Sequence, residues 1–134
     1  MTFGKPRCDK LYEWELIRFS SKLNTTVTGG FSKLLSYFIK RYNPTNILTY
    51  CHRGISSGDV YLKNKFNLIN ITEPGFQYIN PKYHNTISRE IYQKHKLQYK
   101  LQNYNPNITT WENMQLNGYD RIWDCGSFKF LYTK

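Results

Sequence analysis

Apolar positions change their spacing several times along the chain, and each change predicts an element. From Phe31 to Tyr42 they fall at i, i+3, i+4, i+7 and i+11 (Phe31, Leu34, Leu35, Phe38, Tyr42), which predicts an amphipathic helix with one buried face. The helix should stop near Asn43-Pro44, because proline cannot continue the ladder. Tyr12–Ser21 (YEWELIRFSS) alternates imperfectly, as suits a strand buried on both faces or carrying a bulge. Ile47–Cys51 reads as a second strand, and Ser56-Ser57-Gly58-Asp59 opens a short helix to about Asn64, with Ser or Asp as its cap. Phe66–Thr72 and Phe76–Ile79 read as strands on either side of a Pro74-Gly75 turn. This β-α-β-α-β-β order predicts an α/β (α+β) fold, with a sheet containing parallel members and crossover helices.

The last third reads differently. Asn85 or Thr86 could cap a long helix to about Asn103, with Ile87, Ile91, Leu97, Leu101 and Tyr104 inward and a basic surface of Arg89, Lys94, His95, Lys96 and Lys100. Thr109-Thr-Trp-Glu112 has capping-box spacing and should start a shorter helix ended by Gly118. Tyr119–Trp123 and Phe128–Tyr132 then suggest a closing hairpin. Repeats, low-complexity stretches and linkers are not evident, so residues 1–134 are expected to form a single domain.

Composition narrows the partners. Nineteen Lys and Arg face nine Asp and Glu, a formal charge of +10, which favours an anionic partner such as DNA, another nucleic acid or a nucleotide cofactor. Aromatic residues make up 17% of the chain, enough to build a core and also to offer stacking surfaces. Cys8, Cys51 and Cys125 lie far apart with no C-x-x-C pair, and read as free thiols in a reducing compartment. With no apolar leader or membrane-length apolar run, a soluble intracellular protein with no membrane partner is expected.

Among local chemistries, the glycine turn at Thr26–Lys33 is the most informative, although a short glycine turn is by itself a weak signal. Gly29 and Gly30 permit close backbone approach, and the N–H groups opening the helix, together with Ser32 and Lys33, suit a phosphate. A turn that needs glycine and binds nothing is the plain alternative. His52, His84 and His95 lack metal-ligand spacing, so no metal is expected, and Cys51-His52, adjacent on a strand, should face opposite ways and not act as nucleophile and base. Nuclease motifs of the H-N-H, GIY-YIG or LAGLIDADG type are absent.

Strand, glycine turn, helix and strand, followed by Gly58-Asp-Val-Tyr61-Leu-Lys-Asn-Lys-Phe66, resemble the second half of the GNAT superfamily of N-acetyltransferases. Val27-Thr-Gly-Gly30-Phe-Ser32 aligns with the turn that holds the coenzyme A pyrophosphate in that family, matching at Gly30, with Val27 at a usually polar position and Ser32 in place of a small residue. Tyr61 and Phe66 align with the family's Tyr…Phe motif, with Lys65 where glycine is usual. A closer resemblance runs through FGKPRCDKLYEWELIRF, GGFSKLLSYFIKRYNP, the Gly58…Tyr61…Phe66 element, Arg89 with Gln93–Leu97, and Asn117–Gly126. It is to a domain common in bacteriophage proteins, often C-terminal to homing-endonuclease-like or Vsr-like nuclease modules.

The resemblance implies a GNAT-like central mixed sheet with flanking helices, a reduced N-terminal half and extra C-terminal helices and hairpin. It also implies a phage-encoded protein of the host cytoplasm, using acetyl-CoA or another acyl-CoA in a nucleic-acid context, with a nuclease module as a partner. Cofactor binding would fall to Val27, Gly29, Gly30, Phe31, Ser32 and Lys33. Tyr61 would protonate the departing thiolate, and Glu15, a candidate by position on the first strand, would act as base. The alternative is a non-catalytic DNA-binding accessory domain contacting phosphates through Arg53, Arg89, Lys94, Lys96 and Lys100.

Overall fold

The computed structural model describes residues 1–82 and 85–134, which adopt a mixed α+β fold dividing into two compact units. Unit 1 comprises Met1–Glu73 and Gly126–Lys134, and unit 2 comprises Pro74–Cys125.

Unit 1 is a five-stranded mixed sheet. Its elements are β1 (Thr2–Gly4), β2 (Trp14–Arg18), α1 (Gly30–Tyr42), β3 (Asn46–His52), α2 (Asp59–Leu62) and β4 (Phe66–Ile71), with β8 (Ser127–Thr133) returning from the end of the chain. The strand order is β1-β2-β3-β8-β4. β2 and β3 run parallel, as a crossover through α1 requires, whereas β8 lies antiparallel to both β3 and β4 and separates them.

The spacing of α1 is realised in part. Phe31, Leu35 and Phe38 are buried at i, i+4 and i+7, and join Leu16, Ile47, Cys51, Phe66 and Phe130 in one core. Each buried side chain of this kind contributes about 1.5–3 kcal/mol relative to exposure. Leu34 is instead 45% exposed, and Tyr42, 55% exposed, rests its ring on Phe38 and Trp14. The helix ends as expected, with Asn43 left-handed (φ 46), its amide on the Ile39 carbonyl, and Pro44 following.

The predicted Tyr12–Ser21 strand shortens to β2, where Glu15 and Leu16 are buried on opposite faces, and the bulge lies in its pairing with β1, between Thr2 and Phe3. α2 is capped by neither Ser nor Asp. Gly58 stands at its start with φ 83, and a Cβ there would meet the Phe130 ring at 2.5 Å. Only glycine satisfies both demands.

Unit 2 overturns two expectations. It holds an antiparallel sheet, β6-β5-β7, made of β5 (Phe76–Asn80), β6 (Asn85–Ser88) and β7 (Asp120–Trp123), with α3 (Thr110–Leu116). The long basic helix over residues 85–103 does not form. Asn85–Ser88 pairs with β5, and two 3-10 turns follow, Arg89–Tyr92 and Lys94–Tyr99, separated by extended Gln93 (ψ 147). The buried positions Tyr92, Leu97 and Leu101 are five and four apart, a spacing that one α-helical face does not sustain. The closing hairpin is also absent, since β7 pairs with β5 and β8 belongs to the sheet of unit 1.

The capping box forms as read. Thr109 Oγ1 accepts the Glu112 amide at 3.2 Å, and Glu112 Oε2 accepts the Thr109 amide at 2.7 Å. Gly118 follows α3 in the left-handed region, φ 76.

Candidate functional site

The glycine turn is tight. Val27 carbonyl accepts the Gly30 amide at 3.0 Å, Gly29 is left-handed (φ 70), and Lys33 amide closes the first helical bond on Gly29 carbonyl at 3.0 Å. Of the amides proposed for an anion, those of Gly30 and Lys33 are therefore already engaged, which leaves the Phe31 and Ser32 amides as the outward donors of the first turn. The turn forms one wall of an open groove of about 510 Å³, with Phe19 beside it and Val60, Lys63 and Asn64 of the α2 region opposite. Ser21, Thr25, Thr26, Thr28 and Ser32 add hydroxyls, so a phosphate there would meet donors and one lysine at the rim. A Cβ at Gly30 would press on the Val27 side chain at 3.2 Å, and Val27 is exposed enough to yield.

Beside this groove the parallel strands part. β2 and β3 pair only from Trp14–Leu16 to Ile47–Thr49, although β2 continues to Arg18 and β3 to His52. Thr49 Oγ1 donates to the Leu16 carbonyl at 2.9 Å, so a side chain satisfies the acceptor where the ladder ends. Past that point the facing edges have no ladder partners in each other. The strand edges there carry the same backbone donors and acceptors that a further strand would use.

Tyr61 reaches the end of the ladder from α2. Its half-buried ring stacks on Phe130 at 5.2 Å and meets Phe31 and Phe66 edge-on. Burial pushes its pKa above 10, and the neighbouring Thr49 hydroxyl draws it partly back. The phenol therefore keeps its proton at neutral pH, as an acid must.

Glu15 lies on the other face of β2 from Leu16, buried to 4% exposure. Its Oε2 accepts the Arg7 amide at 3.0 Å, and the Arg7 guanidinium stands 4.0 Å from Oε1. On that face Lys129 bonds Asp9 at 2.6 Å; this ammonium holds the Asp9 carboxyl below its usual range, and Asp9 raises Lys129 in turn. Tyr61 and Glu15 thus flank the same strand pair from opposite sides and do not touch.

The basic candidates do not share a helix face. Arg53, just after β3, sits 5.5 Å over the Phe128 ring in unit 1. In unit 2, Arg89 in the first 3-10 turn lies over Phe76, while Lys94 and Lys96 belong to the second turn and Lys100 caps it. Lys100 lines a cleft of about 610 Å³ with Lys82, Asn80 and Tyr119. Cys51 is buried and His52 exposed, with His52 Nδ1 accepting the Gly54 amide, so the two do not form a catalytic pair. His84 lies outside the described residues.

Sequence reasoning missed Thr49, Phe19, Lys63 and Asn64. Nothing local marks Thr49, which matters only because its hydroxyl meets a carbonyl across the sheet; Lys63 and Asn64, at the end of α2, could have been found from their position opposite the glycine turn in a β-α-β-α order.

No helix is long and apolar enough to cross a membrane among the described residues. No family model matches the chain, and neither a curated protein nor a solved structure matches it.

Proposed function

We propose that unit 1 is a GNAT-like module that binds an acyl-coenzyme A and transfers its acyl group to an amine. One observation carries the reading: Phe31 of the glycine-turn groove meets the Tyr61 ring, and Tyr61 in turn neighbours Thr49, where the pairing of β2 with β3 ends. Coenzyme A has matching parts in matching order. Its pyrophosphate suits the Phe31 and Ser32 amides at the positive end of α1, and its amide-bearing arm suits the parted strand edges.

In the reaction, the amine attacks the thioester carbonyl and the tetrahedral intermediate expels the thiolate, which takes its proton from Tyr61. An amide on the free edge of β3 would stabilise the oxyanion. The ammonium proton leaves to solvent, since Glu15 lies buried on the opposite face of β2 with its carboxylate on the Arg7 amide.

Melting of the full chain with acetyl-CoA and with free coenzyme A tests the reading. At about 100 times its dissociation constant, either ligand should add about 2.7 kcal/mol of stability. No shift with either ligand would overturn the assignment. A nucleic-acid-binding role is supported by the absence of any Asp or Glu between Glu15 and Asp59.

A further inference from the structure

Three concavities adjoin along α1. The glycine-turn groove shares Ser32 with a hollow on the outer face of the helix, and shares Lys63 and Asn64 with a second hollow between α1 and the start of β4. The two hollows share Ser36 and Lys40. Together they carry Lys33, Lys40, Lys63 and Lys65, and no residue lining any of the three is acidic. Among the described residues none of the four lysines forms an ion pair with a carboxylate.

Two details argue against an ordinary solvated face. Tyr37, 68% exposed, stands between Lys33 and Lys40 on the same side of α1, an aromatic ring with no core to fill. Lys65 has φ 67, a conformation that glycine or asparagine adopts more readily, so the backbone does not account for a lysine there. Ser32 to Lys40 spans about 12 Å of helix. That is a track rather than a point.

We infer that this track binds single-stranded nucleic acid, with the lysines on successive phosphates and Tyr37 as a platform for an unpaired base. Regularly placed cations suit a polyanion, and an exposed ring among them suits a base freed from pairing. The inference does not depend on the acyl-CoA reading, since Tyr37, Lys40 and Lys65 lie outside the glycine-turn groove.

The test is fluorescence anisotropy of a labelled oligothymidylate on the full chain across a salt series, with the acetyl-CoA melting shift measured in parallel. The variants are Lys40→Gln with Lys65→Gln, and Tyr37→Ala; melting without ligand checks that each folds like the parent. The lysine pair should flatten the plot of log affinity against log salt by about 0.7 per lost contact. Tyr37→Ala should weaken binding by about tenfold at unchanged slope. Both should leave the melting response to acetyl-CoA as it is in the parent. Absence of oligothymidylate binding, or an unchanged slope in the lysine pair, overturns the inference. Equal affinity for a duplex of the same length, insensitive to Tyr37→Ala, replaces it with a duplex surface. Loss of an acetyl-CoA response with oligonucleotide binding intact assigns the lysines to the cofactor and also overturns it.

Discussion

In unit 1 a helix lies on a sheet over a core of Leu16, Phe31, Leu35, Phe38, Ile47, Phe66 and Phe130, with Thr49 and Glu15 buried beside it and each hydrogen-bonded. In unit 2 a smaller core of Tyr78, Tyr92, Leu97, Leu101 and Met114 is braced by further directional bonds. Buried Asn113 donates to the carbonyls of Asn105 and Thr109, and accepts the Asn105 amide at 2.8 Å. Tyr92 and Tyr119 share a hydroxyl–hydroxyl bond of 3.0 Å, and the Arg121 guanidinium lies 4.1 Å from the Trp111 ring. Non-directional burial tolerates a change of shape at constant volume, whereas a directional network fails when one member loses a partner. A three-stranded sheet with a seven-residue helix has little apolar area to bury, and so relies on the second kind of interaction.

The largest test of this contrast is Phe130→Ala. It empties a ring in contact with Tyr61 and Gly58, and should cost about 3–5 kcal/mol in a denaturant titration. Leu35→Met at constant volume should cost less than about 1.5 kcal/mol. A comparable loss for both would mean that the core of unit 1 is as specific as that of unit 2.

Ligand provides the next test. Gly30→Asp places a carboxylate at the opening turn of α1, so the roughly 2.7 kcal/mol added by acetyl-CoA to the parent should fall to almost nothing, while the unliganded melting temperature changes little. Hydrogen exchange should show the parent's gain in the amides of unit 1. A gain confined to unit 2 would move the site.

In unit 2, Asn113→Leu keeps the branched outline of the side chain and removes the network. Each buried group left unpaired should cost about 1–3 kcal/mol, so the loss should exceed that of Leu35→Met. An equal or smaller loss would remove the basis of the contrast.

The smallest effects are in pH. Burial, aided by the bond to Tyr119, pushes Tyr92 up to about 12. A pKa raised on folding stabilises fully below the unfolded value near 10, and that contribution is lost as pH rises through about 12, so exchange protection in unit 2 should fall over this range and do so less in Tyr92→Phe. Asp9 behaves oppositely. Its pKa is lowered on folding, so its pairing with Lys129 stabilises above the ordinary carboxylate range and is lost as pH falls through the lowered value. Asp9→Asn should flatten the acid limb for unit 1.

How much was legible follows from how local each cause is. The spacing of Phe31, Leu35 and Phe38, the proline after Asn43, the Thr109–Glu112 box and the glycines at the head of α1 all act within a few residues, so the sequence by itself determined α1, α3 and the shape of the turn. It determined equally the excess of positive charge and the stretch without acid from Leu16 to Gly58. Only the tertiary structure decided that β8 enters between β3 and β4, that Asn85–Ser88 pairs as a strand, and that β7 and β8 separate into different sheets. The same holds for the candidate site. At the end of the parallel ladder the Thr49 hydroxyl, thirty-three residues away, bonds the Leu16 carbonyl, and burial among the surrounding rings raises the pKa of Tyr61. Hydrogen bonds and burial between distant segments leave no periodic trace in the chain.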